Sequence, residues 1–227
     1  MANQSGNAYA LTVLAPIKNG HLGEIAFSDL IKDRLQDWNL LPNSPMAKVP
    51  QTYLCRFFVL DDVYTQSLPG GSILDNLSDI LPVVPDGMRQ KALPREDHLK
   101  SRYLVFSSNF YGDLDLYLRG MWTAISSEII NAWEYCYGFE LVQDAESFVT
   151  YMKKCQLNAA LFFVGSNDDS LEEQLKALYL KQEFSKFAVE HQGLPAAELQ
   201  SRYQAFIKRV APTDLNGPSW TPGQYRL

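Results

Sequence analysis

Eight consecutive residues, Tyr53 to Leu60, read Tyr-Leu-Cys-Arg-Phe-Phe-Val-Leu and leave a β-strand without a polar face. Successive side chains of a strand point to opposite sides. Tyr53, Cys55, Phe57 and Val59 therefore share one face, and Leu54, Arg56, Phe58 and Leu60 share the other. The segment Tyr103 to Ser108 repeats the pattern, with Tyr103, Val105 and Ser107 opposed to Leu104, Phe106 and Ser108. Strands of this kind need cover on both sides, which demands a layered arrangement of helices and sheet.

The rest of the chain supplies the layers. Tyr9 to Ile17 is a nearly continuous apolar run that Pro16 and Asn19-Gly20 terminate, as expected of a central strand. From His21 to Trp38 apolar residues recur at three- and four-residue steps (Leu22, Ile25, Leu30, Ile31, Leu35, Trp38), which predicts an amphipathic helix. With Tyr53–Leu60 this makes a β-α-β unit. A second unit follows: a strand at Tyr103–Ser108, a long helix from Leu114 to Tyr135, a short helix over Ala145–Lys154 and a fourth strand at Ala159–Val164. Gly138, in Cys136-Tyr137-Gly138-Phe139, is the expected left-handed residue that closes the long helix. Two such units in tandem predict a ferredoxin-like βαββαβ sheet of the α+β class.

Between the units lies a long connection, residues 64–100, broken by Pro69-Gly70-Gly71, Pro82, Pro85-Asp86-Gly87 and Pro94, with a possible short helix near Ile73–Leu81. After the core, residues 170–211 read as a C-terminal helical extension of two helices, split by Gly193-Leu194-Pro195; Ser170 and Glu173 have the spacing of a capping box. The reading is one α+β domain with its core at 9–165.

Two helices cover one face of a four-stranded sheet, so the second face needs another cover. Three are available: the C-terminal helices, the sheet of a second subunit in a homodimer, or a bound ligand. The 20 Lys and Arg against 26 Asp and Glu, a formal net charge of −6 with no basic run, make nucleic acid and anionic membrane poor partners. No apolar stretch approaches the roughly 18 residues of a membrane span. Cys55, Cys136 and Cys155 are far apart and form no CxxC pair, and Met1–Ala8 carries neither a basic region nor an apolar core. The expected setting is reducing and cytoplasmic.

Candidate chemistry is sparse. Arg56, mid-strand among apolar neighbours, must pair with an acid such as Asp61 or Asp113, reach solvent, or recognise an anion through its guanidinium fork. The turn Ser108-Asn109-Phe110-Tyr111-Gly112-Asp113 leads from a strand through glycine into a helix N-terminus, where backbone N–H groups are free to meet a ligand. Ser108, Asn109 and Asp113 are its candidate polar anchors, and His98 is the histidine of the long connection. His21 and His191 sit at helix ends, and Asp61-Asp62 and Asp168-Asp169 fit turn and cap roles. The usual nucleotide and hydrolase motifs are absent.

The sets Cys55-Arg56-Phe57-Phe58-Val59-Leu60-Asp61-Asp62, Ser108–Asp113 and Cys136-Tyr137-Gly138-Phe139, with Pro16-Ile17 before the first helix, resemble a family of uncharacterised bacterial proteins built on a ferredoxin-like core. Tyr111 stands where that family usually has an aspartate. At the level of fold the chain is also similar to the dimeric α+β barrels, which include the heme-binding dye-decolorising peroxidases and chlorite dismutases. That similarity implies heme as a possible cofactor, but no histidine is placed like their proximal ligand and their Gly-x-x-Asp-Gly motif is missing. The expected function is binding of a small-molecule ligand between the second sheet face and the 64–100 connection, anchored by Arg56 and the Ser108–Asp113 turn. The alternatives are a heme-dependent oxidoreductase and a non-catalytic homodimeric interaction protein.

Overall fold

A computed structural model of the chain describes residues 3–61, 99, 101–165 and 168–219. The expected connection, its possible helix at 73–81 and His98 fall outside the described residues, apart from Leu99 and the join at 101. In chain order the elements are β1 (Gln4–Ser5), β2 (Ala8–Pro16), β3 (His21–Leu22), β4 (Ile25–Ala26), α1 (Phe27–Leu40), β5 (Thr52–Leu60), β6 (Tyr103–Tyr111), α2 (Leu114–Trp133), α3 (Ala145–Cys155), α4 (Leu171–Glu190) and α5 (Ala196–Val210). This is a mixed α+β architecture around one four-stranded antiparallel sheet, ordered β1-β2-β6-β5; β3 and β4 form a separate hairpin.

The register places whole rows of side chains across the sheet. On the side facing α1, α2 and α3, Leu11, Ser108 and Cys55 form one row, Val13, Phe106 and Phe57 the next, and Ala15, Leu104 and Val59 a third. Trp133 of α2 stands edge-on to Phe57 and Phe106, with ring centroids 5.5 and 5.7 Å apart, and Trp38 of α1 closes on Phe57 from the other side at 5.4 Å. Phe148 of α3 completes the cluster. Burial of large apolar side chains contributes roughly 1.5–3 kcal/mol each, so this layer is the stability centre of the sheet. α2 bends at Ile125, where φ −145° and ψ 39° leave the helical region.

Two expected elements differ. The helix expected from His21 begins at Phe27, because residues 21–26 fold into the β3–β4 hairpin. Gly23 takes φ +63° at the first position of its two-residue loop, the left-handed backbone such turns require. The expected fourth strand, Ala159–Val164, forms no ladder. The outer edge of β2 is already occupied: β1 pairs with Tyr9 and Ala8, Ala10 donates its N–H to the Asn3 carbonyl, Val13 bridges Gln156, and the Pro16 carbonyl accepts from Tyr137. The Leu157 N–H still donates to the Thr12 carbonyl at 2.8 Å, but the Ala159 N–H turns to the Asn3 side chain at 2.6 Å, and the chain leaves the edge there.

Both expected C-terminal helices are present. α4 starts with the Ser170 hydroxyl accepting from the Glu173 N–H, and α5 packs Phe206 and Tyr203 against Phe187 of α4. The pair is tied to the sheet at the start of β5. The Gln51 side chain donates to the Glu172 carboxylate at 2.8 Å and accepts from the Leu171 N–H at 3.0 Å, and the Tyr53 hydroxyl donates to the Asp169 carbonyl at 2.5 Å. Gly138 has the expected left-handed conformation, φ +80°, but it lies beyond the end of α2 and opens a short 3-10 turn, Phe139–Leu141.

Candidate functional site

The second face of the sheet is neither uniformly apolar nor fully covered. Its rows are Ala10, Asn109 and Leu54; Thr12, Ser107 and Arg56; Leu14, Val105 and Phe58; and Pro16, Tyr103 and Leu60. The second of these is a polar band of two hydroxyls and a guanidinium running across three strands, with the Asn109 amide diagonal to Arg56. Val105, at the centre, is 5% exposed, while Phe58 and Leu54 at the β5 edge are 45% and 62% exposed. Arg56 is exposed and, among the described residues, has no carboxylate partner; the two acids that could have paired with it are engaged elsewhere. Asp61 holds Lys32 at 2.6 Å and Arg102 at 3.5 Å, and Asp113 caps α2.

The Asn109 end of this face opens into a cavity of about 240 Å³ whose walls are Tyr53, Leu54, Asn109, Phe162, Phe163 and Gln174, among others. The stretch that forms no fourth strand thus forms a wall over the face. Along the opposite edge of β5, a groove of about 390 Å³ is lined by Arg56, Phe57 and Phe58 together with Leu35, Trp38 and Met46.

The expected site residues divide into two groups. Arg56 and Asn109 lie on the same face, within reach of one ligand. Ser108 points the other way: it is buried, and its hydroxyl is 2.7 Å from that of Tyr117, which also meets the Thr52 hydroxyl at 3.1 Å. Burial, only partly offset by those two hydroxyls, pushes the Tyr117 phenol up to about 12. Asp113 accepts from the N–H groups of Asp115 and Leu116 at 2.9 and 3.0 Å, the work of a helix N-cap.

Nor is the turn a source of free donors. The Tyr111 N–H binds the Gln51 carbonyl at 3.1 Å and that of Gly112 binds the Asn7 carbonyl at 2.8 Å. Ser108 and Asp113 are therefore structural residues, because β6 runs on to Tyr111 and the turn it feeds is hydrogen-bonded to the β1–β2 loop. Thr12 and Ser107 are the members of the polar row that sequence reasoning did not select; the alternation of Tyr103, Val105 and Ser107 was legible, but the register that sets Ser107 beside Arg56 was not.

Of the histidines, His21 is exposed in the β3–β4 hairpin, and His191 follows α4, its Nδ1 2.9 Å from the Phe187 carbonyl and its ring stacked on that of Phe187. The three cysteines are free thiols; burial pushes Cys136 up to about 12 and Cys55 up to about 11. Among the described residues no group of three His, Cys, Asp or Glu side chains is arranged to hold a metal ion, and no helix is long and apolar enough to cross a membrane. Compared with protein-family models, with curated proteins and with solved structures, the chain matches none.

Proposed function

We propose that the protein binds a small amphiphilic anion on the second face of its sheet, as a ligand-binding protein with a ferredoxin-like core. The order of β2, β6 and β5, with the single bridge of Gln156 to the outer edge of β2, supports reading the core as that arrangement with its last strand reduced to a contact. The observation that carries the binding reading is the row Thr12, Ser107 and Arg56, polar groups set in an apolar face. Guanidinium donors in a planar fork match a carboxylate or phosphate. Hydroxyls beside it and the Asn109 amide supply further donors to the same group, and Leu54 and Phe58 flank it with apolar surface.

Native mass spectrometry of freshly purified full-length protein, with a visible spectrum on the same sample, tests this. The expected result is a colourless protein carrying extra mass that Arg56→Ala loses. Extra mass retained in full by Arg56→Ala overturns the assignment of the anchor. A Soret band would favour a heme protein of the dimeric barrel type instead, and a ligand-free dimer would favour a homodimer interface at Leu54 and Phe58.

A further inference from the structure

The C-terminal helix pair has two chemically different sides. Along α4, Ala177, Leu180, Phe184 and Phe187 recur at alternating three- and four-residue steps, and along α5 Leu199, Tyr203, Phe206 and Val210 do the same. That spacing is the seam of a helical bundle. Phe187 and Phe206 meet at the centre of the pair, their ring centroids 4.8 Å apart, and both are buried. Beside them Leu180, Phe184, Tyr203 and Ile207 remain 48%, 50%, 42% and 42% exposed.

The charges that flank the seam lie on its other side. There Arg209 pairs with Glu183, Lys186 reaches the same carboxylate at 3.1 Å, and Glu190 and Arg202 line the same groove. At about 100° per residue, Ala177, Leu180, Phe184 and Ala188 of α4 fall on the open side, as do Gln200, Gln204 and Ile207 of α5, with the exposed Lys181 at the outer margin. The ties of the pair to β5 engage Asp169, Leu171 and Glu172 at the start of α4, and the open stripe begins beyond them.

A second copy of the chain is the occupant this surface fits. A charged partner finds no opposite charge along the stripe. Two copies of a chain with a net charge of −6 repel through charged surfaces, whereas two uncharged stripes close on each other without that cost. The hairpin is also half of a four-helix bundle: two helices bury one seam, and four bury the wider stripe of each. α5, with 15 residues, is of a length that is marginal for an isolated helix, so its stability rests on packing of its apolar face.

We infer that the open side of the α4–α5 pair is the interface with a second copy of this chain, the two hairpins closing about a two-fold axis into a four-helix bundle. With the two α4 helices antiparallel, Phe184 of one protomer packs on Leu180 of the partner subunit, and the small Ala177 and Ala188 at either end let the backbones approach. No residue of the Arg56 row takes part.

Sedimentation equilibrium of the full chain across the micromolar range tests the inference. The expected result is the mass of two chains, in a reversible equilibrium that Phe184→Glu and Ile207→Glu each weaken by about tenfold or more, since each buries a carboxylate without a partner. Leu180→Ala, which suits a helix and adds no charge, should weaken it less, and it carries the test if a glutamate variant loses its helix content by circular dichroism. Arg202→Gln on the charged side and Phe58→Glu on the sheet should leave the dimer unchanged, which separates it from one formed through the sheet. A single-chain mass at every concentration overturns the proposal. A dimer that keeps its affinity in Phe184→Glu and Ile207→Glu, or that Phe58→Glu dissociates, overturns it as well.

Discussion

The two faces of this sheet are built from the same three strands, often from adjacent residues, yet they behave as different materials. On the helix side, Phe57, Phe106 and Trp133 interlock with Trp38 and Phe148, and even the polar members, Ser108 and Tyr117, satisfy each other. On the other side Arg56, Ser107 and Thr12 present hydrogen-bonding groups without partners among the described residues, and Leu54 and Phe58 are open. On the helix face the Ser108 and Tyr117 hydroxyls are paired, and the Trp133 indole N–H, without a partner among the described residues, is buried out of reach of a ligand. A face that leaves its polar groups unpaired carries little stability but has donors to offer.

The contrast can be broken by substitution. Trp133→Ala should have the largest effect, a loss of about 3–5 kcal/mol in denaturant unfolding, since it opens a cavity at the centre of the aromatic cluster. Phe58→Ala, the same kind of truncation on the open face of β5, should cost well under half as much; equal losses would show that the second face is as tightly packed as the first. Ser108→Ala should cost about 1–2 kcal/mol by chemical denaturation, because the buried Tyr117 hydroxyl keeps only its longer contact to Thr52.

The buried acids of the helix face give the comparison a pH dependence. Cys136 and Tyr117 are both pushed up to about 12 and Cys55 up to about 11, from ordinary values of 9.0 for the thiols and 10.0 for the phenol. Below about pH 8 these groups are protonated in folded and unfolded chains alike and add no slope. Between pH 9 and 12 the unfolded chain releases protons that the folded one retains, so stability should fall as pH rises, and Cys136→Val should flatten part of that fall. Urea melts at pH 8, 9 and 10 would measure it. The smallest effect on stability belongs to Arg56→Ala, within about 0.5 kcal/mol of the parent, although the same change should abolish the proposed anion binding.

Much of this division was legible beforehand, and the failures are specific. The period-two pattern of Tyr53–Leu60 assigned every side chain of β5 to its correct face beyond the irregularity at Tyr53, and Ser107 and Ser108 were correctly set on opposite faces of β6. Ser108, expected as a ligand anchor, faces the helix layer and bonds Tyr117, since alternation says which residues share a face but not which face is packed by helices. The turn at Ser108–Asp113 misled for a related reason: its N–H groups are free in any isolated strand–helix junction, and here Asn7 and Gln51, distant in sequence, take them.

The sequence by itself determined the three long strands, the main helices with their amphipathic faces and the mixed α+β class, because these rest on side-chain periodicity and on local turn and cap chemistry. Residues 9–17, 53–60 and 103–108 could hardly be anything but strands. Tertiary structure alone decided the register that aligns Thr12, Ser107 and Arg56, the crowding of the β2 edge that denied Ala159–Val164 a ladder, and the cavity at Asn109. Those features depend on which distant backbone groups reach an edge first, a competition between hydrogen-bond partners remote in the chain that no local pattern records.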